Sequence, residues 1–259
     1  MRIESVTSAQ NPKIKDLLAL QQKSSLRRGK SLFVVEGQRE IEHALEAGFG
    51  IDTLFYCPAI AERFDYPADR YVEVPPELYA KIAYREGTEG LIAEMKARTL
   101  ALEDIALGER PLVVVLEGVE KPGNLGAVLR SADAAGADAV ILCDPLTDLY
   151  NPNLIRASIG AVFTTQVVCC ASEDAIRWLK ARGIRILTAL LQDSSLYYDT
   201  PMDQGTAIVI GTEATGLTDI WREAADAHIR IPMLGRLDSL NASVSAAILL
   251  YEAVRQRHA

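Results

Sequence analysis

Six short apolar runs fill the second half of the chain: "LVVVLEG", "AVILC", "TTQVVCC", "IRILTAL", "AIVIG" and "HIRIP". Most are continuous rather than alternating in polarity. A strand with one wet face alternates, whereas a strand covered on both faces need not, so these runs predict an α/β fold built on a parallel sheet between helices. The helices expected between them are "NLGAVLRSADAAG", "SEDAIRWLKARG" with Ser172 as its cap and Gly183 as its stop, "LTDIWREAA", and the long "SLNASVSAAILLYEAVRQR". In the last, Val244, Ile248 and Tyr251 share one face while Ala247, Leu250 and Val254 share the next. A stripe that wide suits burial on two sides, in the core and against another subunit.

The first half reads differently. A basic helical stretch, "NPKIKDLLALQQK", precedes the strand-like "SLFVVEG", "TLFYC", "YVEV" and "GLIAEMK", with "REIEHALEAG" and "PPELYAKIA" as short helices between them. This predicts a small α/β domain over 1–105, a boundary in "KARTLALEDIALGERP", and a larger domain over 106–259. About half of the 259 residues are apolar, enough for a sizeable core. No window approaches a membrane span and "MRIESVTSAQNPKIK" lacks the apolar centre of a secretory signal, so the expected compartment is the cytoplasm. Cys57, Cys143, Cys169 and Cys170 have neither CxxC spacing nor a nearby His, and are expected to be reduced, mostly buried thiols. The net charge of −8 argues against a protein that simply coats nucleic acid. Residues 1–30 nevertheless hold Arg2, Lys13, Lys15, Lys23, Arg27, Arg28 and Lys30 against Glu4 and Asp16, a cluster that either tracks a phosphate backbone or is a solvated surface.

Glycine-rich turns after strands suggest phosphate sites, but "GNLGAVLRSADAAGA" does not fit G-x-G-x-x-G and no G-x-x-x-x-G-K-[ST] loop exists. Dinucleotide and nucleoside triphosphate binding are therefore disfavoured. Three strands instead run into polar, Gly-containing loops ahead of helices: one carries Asn124, Arg130 and Ser131, one is "GTEATGL" around Glu213, and one leads to Ser239 and Asn241. In open α/β sheets ligands bind at the carboxyl ends of the strands, which makes these loops the expected site. Taken singly, Asn124 and the pair Ser239 and Asn241 read equally as helix caps, and Arg130 and Glu213 as surface charges. His43, His228 and His258 are scattered, so neither a metal site nor a histidine base is indicated.

Together, "NLGAVLRSA", "GTEATGL" and "SLNASVSAA" resemble the three motifs of the SpoU-type RNA 2′-O-ribose methyltransferases of the SPOUT superfamily, in that family's order. "NPNLIRASIGAVF" and "SLFVVEG" extend the resemblance over nearly the whole chain, while of the family's threonine-rich turn only Thr88 is kept. The resemblance implies a C-terminal trefoil knot that holds S-adenosylmethionine on the loops at Gly211, at Ile231, Met233 and Leu234, and at Leu240. It also implies a homodimer whose sites draw on both subunits, and an N-terminal domain that holds RNA. Arg130 would lie beside the 2′-hydroxyl, as general base or as the group that binds phosphate and stabilises alkoxide charge. Asn124 would position Arg130 or the ribose, Glu213 would orient the arginine or bind substrate, and Ser239 and Asn241 would shape the cofactor loop and contact the ribose. Lys13, Lys15, Arg27, Arg28 and Arg156 would meet RNA, with Ser158 beside them. Ribosomal RNA is the favoured substrate. A transfer RNA substrate, a non-catalytic RNA-binding or ribosome-assembly protein of the same fold, and a small-molecule nucleotide enzyme are the alternatives.

Overall fold

The computed structural model describes residues 3–61, 64–85, 89–237 and 239–258; Arg2 and Thr88 lie outside the described residues. In chain order the elements begin β1 (Ile3–Ser5), α1 (Pro12–Gln22), α2 (Ser24–Lys30), β2 (Leu32–Glu36), α3 (Gln38–Glu46), β3 (Ile51–Tyr56), β4 (Ala68–Glu73), α4 (Pro76–Ile82) and β5 (Leu91–Lys96). Then come β6 (Leu112–Glu117), α5 (Pro122–Ala134), β7 (Ala139–Cys143), α6 (Pro152–Ser158), α7 (Ala161–Thr164), β8 (Val167–Cys170), α8 (Ser172–Ala181) and β9 (Arg185–Ala189). The chain ends with β10 (Ser195–Leu196), β11 (Thr206–Ile210), α9 (Asp219–Ala224), β12 (Ala227–Arg230) and α10 (Ala242–Arg257). Two compact units result: Met1–Arg98 with Asp148–Thr164, and Thr99–Thr147 with Thr165–Ala259.

The second unit is a seven-stranded sheet in the order β10-β12-β9-β11-β6-β7-β8, parallel at every pairing. All six apolar runs are strands of it. Its two central strands are buried at every position, so the absence of alternation reflects cover on both faces. One face packs α8 and α9 through Trp178, Leu179 and Trp221 on Val113, Ile141 and Val209. On the other side α10 packs against α5 and β11.

Ser172 does not cap α8. Ala171 occupies the cap position, and the Ser172 hydroxyl donates to Asp144 Oδ2 at 2.7 Å while accepting from Trp221 Nε1 at 3.1 Å. Gly183 does end the helix, in the left-handed conformation at φ +65°. Along α10 the wide stripe splits into two faces. Ala246, Leu249, Leu250 and Ala253 are buried, whereas Val244 and Tyr251 stay 46% and 51% exposed. Among the described residues no helix is long and apolar enough to cross a membrane.

The first unit is a five-stranded mixed sheet, β1-β4-β3-β5-β2, with β5 antiparallel to both neighbours. Its α1 starts with Asn11, whose side chain accepts from Lys13 N, followed by Pro12 in the first turn. Ile14, Leu17 and Leu20 then enter a core with Phe55, Val72 and Ile92.

Two residues expected to face RNA are instead structural. Arg27 is 4% exposed: its Nε donates to Asp148 Oδ2 at 2.6 Å and its Nη1 to the Leu20 carbonyl at 2.5 Å. Ser158 is buried, with its hydroxyl donating to Ile155 O at 2.9 Å. Lys13 is paired with Glu4, which leaves Lys15 and Arg28 as the exposed cations of the expected set on α1 and α2. Arg156 is exposed near the end of α6, beside Tyr84 and Arg85.

Removing one partner of a buried ion pair strands the other, so Arg27→Ala is expected to lower stability by about 3–5 kcal/mol. Urea unfolding reads this directly, and exposed Arg28→Ala should stay within about 0.5 kcal/mol of wild type.

Candidate active site

The ends of β9, β11 and β12 open on a cleft of about 340 Å³. That size lies within the range of roughly 300–1,000 Å³ typical of pockets for small molecules and cofactors. Leu190, Ile210, Met233, Leu240 and Leu249 give it apolar walls, and the loop from Gly211 to Gly216 forms one side. Of the residues expected to meet a cofactor, Gly211, Ile231, Met233 and Leu240 line the cleft, as does Ser239. Leu234 does not: it is 96% exposed and outside the lining.

Backbone geometry explains the glycines of the loop. A Cβ on Gly211 would lie 2.3 Å from the Gly216 carbonyl carbon and 2.6 Å from Leu217 N, far inside van der Waals contact. Gly216 itself has φ +69°, the left-handed region that glycine enters freely. Its N–H closes the turn onto Thr212 O at 3.0 Å, and Thr215 N donates to Thr212 Oγ1 at 3.0 Å.

Glu213 projects from this turn and gathers residues from distant parts of the chain. Its Oε1 accepts from Asn124 Nδ2 at 3.0 Å, from Asn241 Nδ2 at 2.8 Å and from the Ala242 N–H at 3.3 Å. Its Oε2 accepts from Lys121 Nζ at 3.0 Å. Asn241 Nδ2 also donates to Asn124 Oδ1 at 3.1 Å. Three of the expected site residues thus form one hydrogen-bonded cluster. Lys121 is a fourth member that motif reasoning missed, although it stands one residue before the Pro that opens α5.

The structure separates the cap readings. Asn124 sits within the first turn of α5, where Lys121 holds the cap position and no side chain caps the helix; its amide is used across the site. Asn241 caps α10, since its Oδ1 accepts from Ser243 N at 2.9 Å while its Nδ2 serves the cluster. Arg130 is exposed and makes no hydrogen bond or ion pair with the described residues, so neither Asn124 nor Glu213 of its own chain holds it. Six residues separate it from Asn124, about 240° around the helix at 3.6 residues per turn.

A family model for the SpoU rRNA methylases matches residues 111–251. The chain belongs to the SpoU rRNA methylase family. Residues 11–93 also match a family described as an MRM3-like substrate binding domain. Among SpoU methylases, the chain is similar to a 23S rRNA guanosine 2′-O-methyltransferase of Bacillus subtilis, 29% identical over 96% of this chain and 98% of that one. Its structure resembles an AdoMet-bound rRNA methyltransferase from Sinorhizobium meliloti, with a TM-score of 0.88, 32% identity and 98% of both chains covered. It is equally similar to the AdoMet complex of the SpoU methyltransferase AviRb from Streptomyces viridochromogenes, with a TM-score of 0.88, 29% identity, and 96% of this chain and 99% of that one covered. The parallel-sheet fold is therefore that of SpoU methyltransferases.

The Lys121 ammonium first, and the Ala242 N–H after it, hold the Glu213 carboxyl below its ordinary value of 4.5. A carboxyl with a depressed folded value keeps its bonds above the ordinary value and loses them as pH falls through the depressed one. The cluster is therefore whole at neutral pH and comes apart only in acid. Lys121→Ala should raise the pH of that loss, which a carboxylate-resolved NMR titration of Glu213 would read. Gly211→Ala should abolish ligand binding in the cleft while far-ultraviolet circular dichroism keeps its native form.

Proposed function

We propose that this protein transfers the methyl group of S-adenosylmethionine to a ribose 2′-hydroxyl of ribosomal RNA. The carrying observation is the cluster of Glu213, Asn124 and Asn241 at a cofactor-sized cleft on the strand ends of a SpoU methylase. The cleft fits the cofactor: apolar walls and loop backbone suit an adenosine and the methylene chain beside its sulfonium, and a Cβ at Gly211 would clash with the loop at Gly216. Gly211, Ile231, Met233 and Leu240 would hold it. When bound, S-adenosylmethionine supplies a methyl group on an electrophilic sulfonium.

The residues of the chain do the rest by positioning, and alignment alone can supply much of the acceleration. Both Glu213 oxygens already accept hydrogen bonds, so Glu213 orients its neighbours rather than taking the proton. Asn124 and Asn241, tied to it and to each other, present a rigid polar edge to the ribose. Ser239 lies on the cleft wall next to them. Arg130 is the cation left over for the reacting sugar and its phosphate. A guanidinium has donors and no acceptor, so its part is to donate to the developing alkoxide while the hydroxyl proton passes to solvent water.

Arg130 turned away from Asn124 supports a site completed by a second copy. The exposed Val244 and Tyr251 on α10 support a homodimer through that helix. A trefoil knot in the last segment is supported by the strand order: β12 lies two places beyond β11, yet the chain returns to lay α10 on β11 and α5. The N-terminal unit grips the RNA, with Lys15, Arg28 and Arg156 as exposed cations. Its similarity to a bacterial 23S rRNA methyltransferase supports action in the cytoplasm.

The test is transfer of labelled methyl to unmodified ribosomal RNA and, separately, to transfer RNA, with nucleoside analysis of the product. A 2′-O-methylated nucleoside from ribosomal RNA is expected, and Arg130→Ala should lower turnover about 10²–10³-fold, as loss of one charge-stabilising donor does. Coexpressed Arg130→Ala and Glu213→Ala chains should regain activity that neither has alone, because one site of each mixed dimer is then intact. No regain would place Arg130 in its own chain's site, and transfer only to transfer RNA would overturn the ribosomal substrate.

A further inference from the structure

Outside the active site, Cys143 and Cys170 form a pair whose geometry no part of the proposed reaction uses. They are the last residues of β7 and β8 and are register partners in the parallel ladder. Neighbouring strands stand about 4.8 Å apart, and disulfides span Cα separations of about 4.4–6.8 Å. Both side chains pack into the same core cluster. Each sits at the end of its strand, where the Asp144 N–H donates to the Cys170 carbonyl at 3.0 Å and holds the two strand ends together. Cys169 is a poorer candidate, because alternation along β8 turns its side chain to the opposite face.

The two thiols are not equivalent. Cys143 is buried, whereas Cys170 is half-buried and borders an open groove walled by Leu102, Asp174, Trp178 and Arg182. Cys170 also lies two residues before the ten-residue α8. The neighbouring Cys143 thiol holds the Cys170 thiol below its usual range, against burial and the carboxylates of Asp174 and Asp144. The neighbouring Cys170 sulfur, and then burial, push the Cys143 thiol up. Cys170 is thus the sulfur that solvent reaches, and Cys143 the sheltered partner beside it.

We propose that Cys143 and Cys170 form a reversible dithiol–disulfide couple, oxidised by a peroxide, with Cys170 as the attacking sulfur and Cys143 as the resolving one. The Cys170 thiolate attacks one oxygen of hydrogen peroxide: an S–O bond forms, the O–O bond breaks, and the departing hydroxide takes up a proton as water. Cys143 sulfur then attacks the sulfenic sulfur, its own proton and the sulfenic hydroxyl leave as a second water, and the S–S bond forms. Both sulfurs are oxidised by one electron each and the peroxide is reduced by two.

The experiment treats the reduced full-length chain with hydrogen peroxide, blocks remaining thiols with N-ethylmaleimide, and maps tryptic peptides by tandem mass spectrometry. Expected is a cross-link between the peptides 131–156 and 157–177, at their summed mass less two hydrogens, reversed by dithiothreitol. It should persist in Cys169→Ser and vanish in Cys170→Ser, where a melting temperature near wild type shows that the fold survives. A link through Cys169, a link between chains, or only sulfinic and sulfonic acids at Cys170 would overturn the proposal.

Discussion

A strand buried on both faces leaves almost no room for polar side chains along its length, and that constraint organises the second unit. β6 and β11 pair along their whole length and are covered above and below. Polar chemistry is therefore pushed to the points where strands end. Glu117, the last residue of β6, shows how such a point is made stable. A buried carboxylate is tolerable only when its oxygens are satisfied, and Thr218 does this with its N–H at 2.8 Å and its hydroxyl at 2.6 Å, with Ser172 nearby. Those bonds anchor one end of the loop that begins at Gly211. Buried Leu217 anchors it again, and the Gly216 turn closes it, so Glu213 is carried on a loop held at both ends.

Glu213 then converts that rigidity into electrostatic order. One carboxylate collects a lysine, two amides and a backbone N–H at the start of α10, and each donor favours the ionised form. The N-terminal end of a helix carries partial positive charge, which adds to the same preference. Asn241 serves two ends through two different atoms: its carbonyl oxygen caps α10 and its amide nitrogen reaches the cluster. A capping role and a site role are thus compatible in one side chain, as the double reading of "SLN" allowed.

Legibility followed the strength of the local signal. Among the described residues, each of the ten strands with four or more residues overlaps a strand-like run visible in the sequence, because burial on a face leaves a pattern. β1 and β10, at three and two residues, are too short to carry one. Asn124, Glu213 and Asn241 were legible because glycine-bearing loops after strands mark sites. Lys121 was not: a lysine before a proline carries no sign that a glutamate 92 residues later will reach it. Ser172 and Arg27 misled for a shared reason. A serine at a helix start and an arginine in a basic run have ordinary surface explanations, and only the fold reveals the buried partners, Trp221 and Asp148, that claim them.

Arg27 shows why net basicity is a weak guide to where nucleic acid binds. Its guanidinium lies across the carbonyl end of α1, where Leu20 and Gln21 present acceptors, and Asp148 neutralises it. Asp148 comes from the segment 148–164, which follows β7 in sequence yet packs with the N-terminal unit. Tyr150 of the same segment stacks on Phe33 with ring centroids 4.1 Å apart, and Phe163 lies 5.8 Å from Phe33. The unit's core is therefore completed by residues encoded more than a hundred positions after it begins. A charge that reads in the sequence as an RNA contact is instead part of what joins that segment to α2. On the reading that the first unit meets RNA, its exposed cations would act beside recognition of shape and of the ribose hydroxyls, the features by which folded RNA differs from other polyanions.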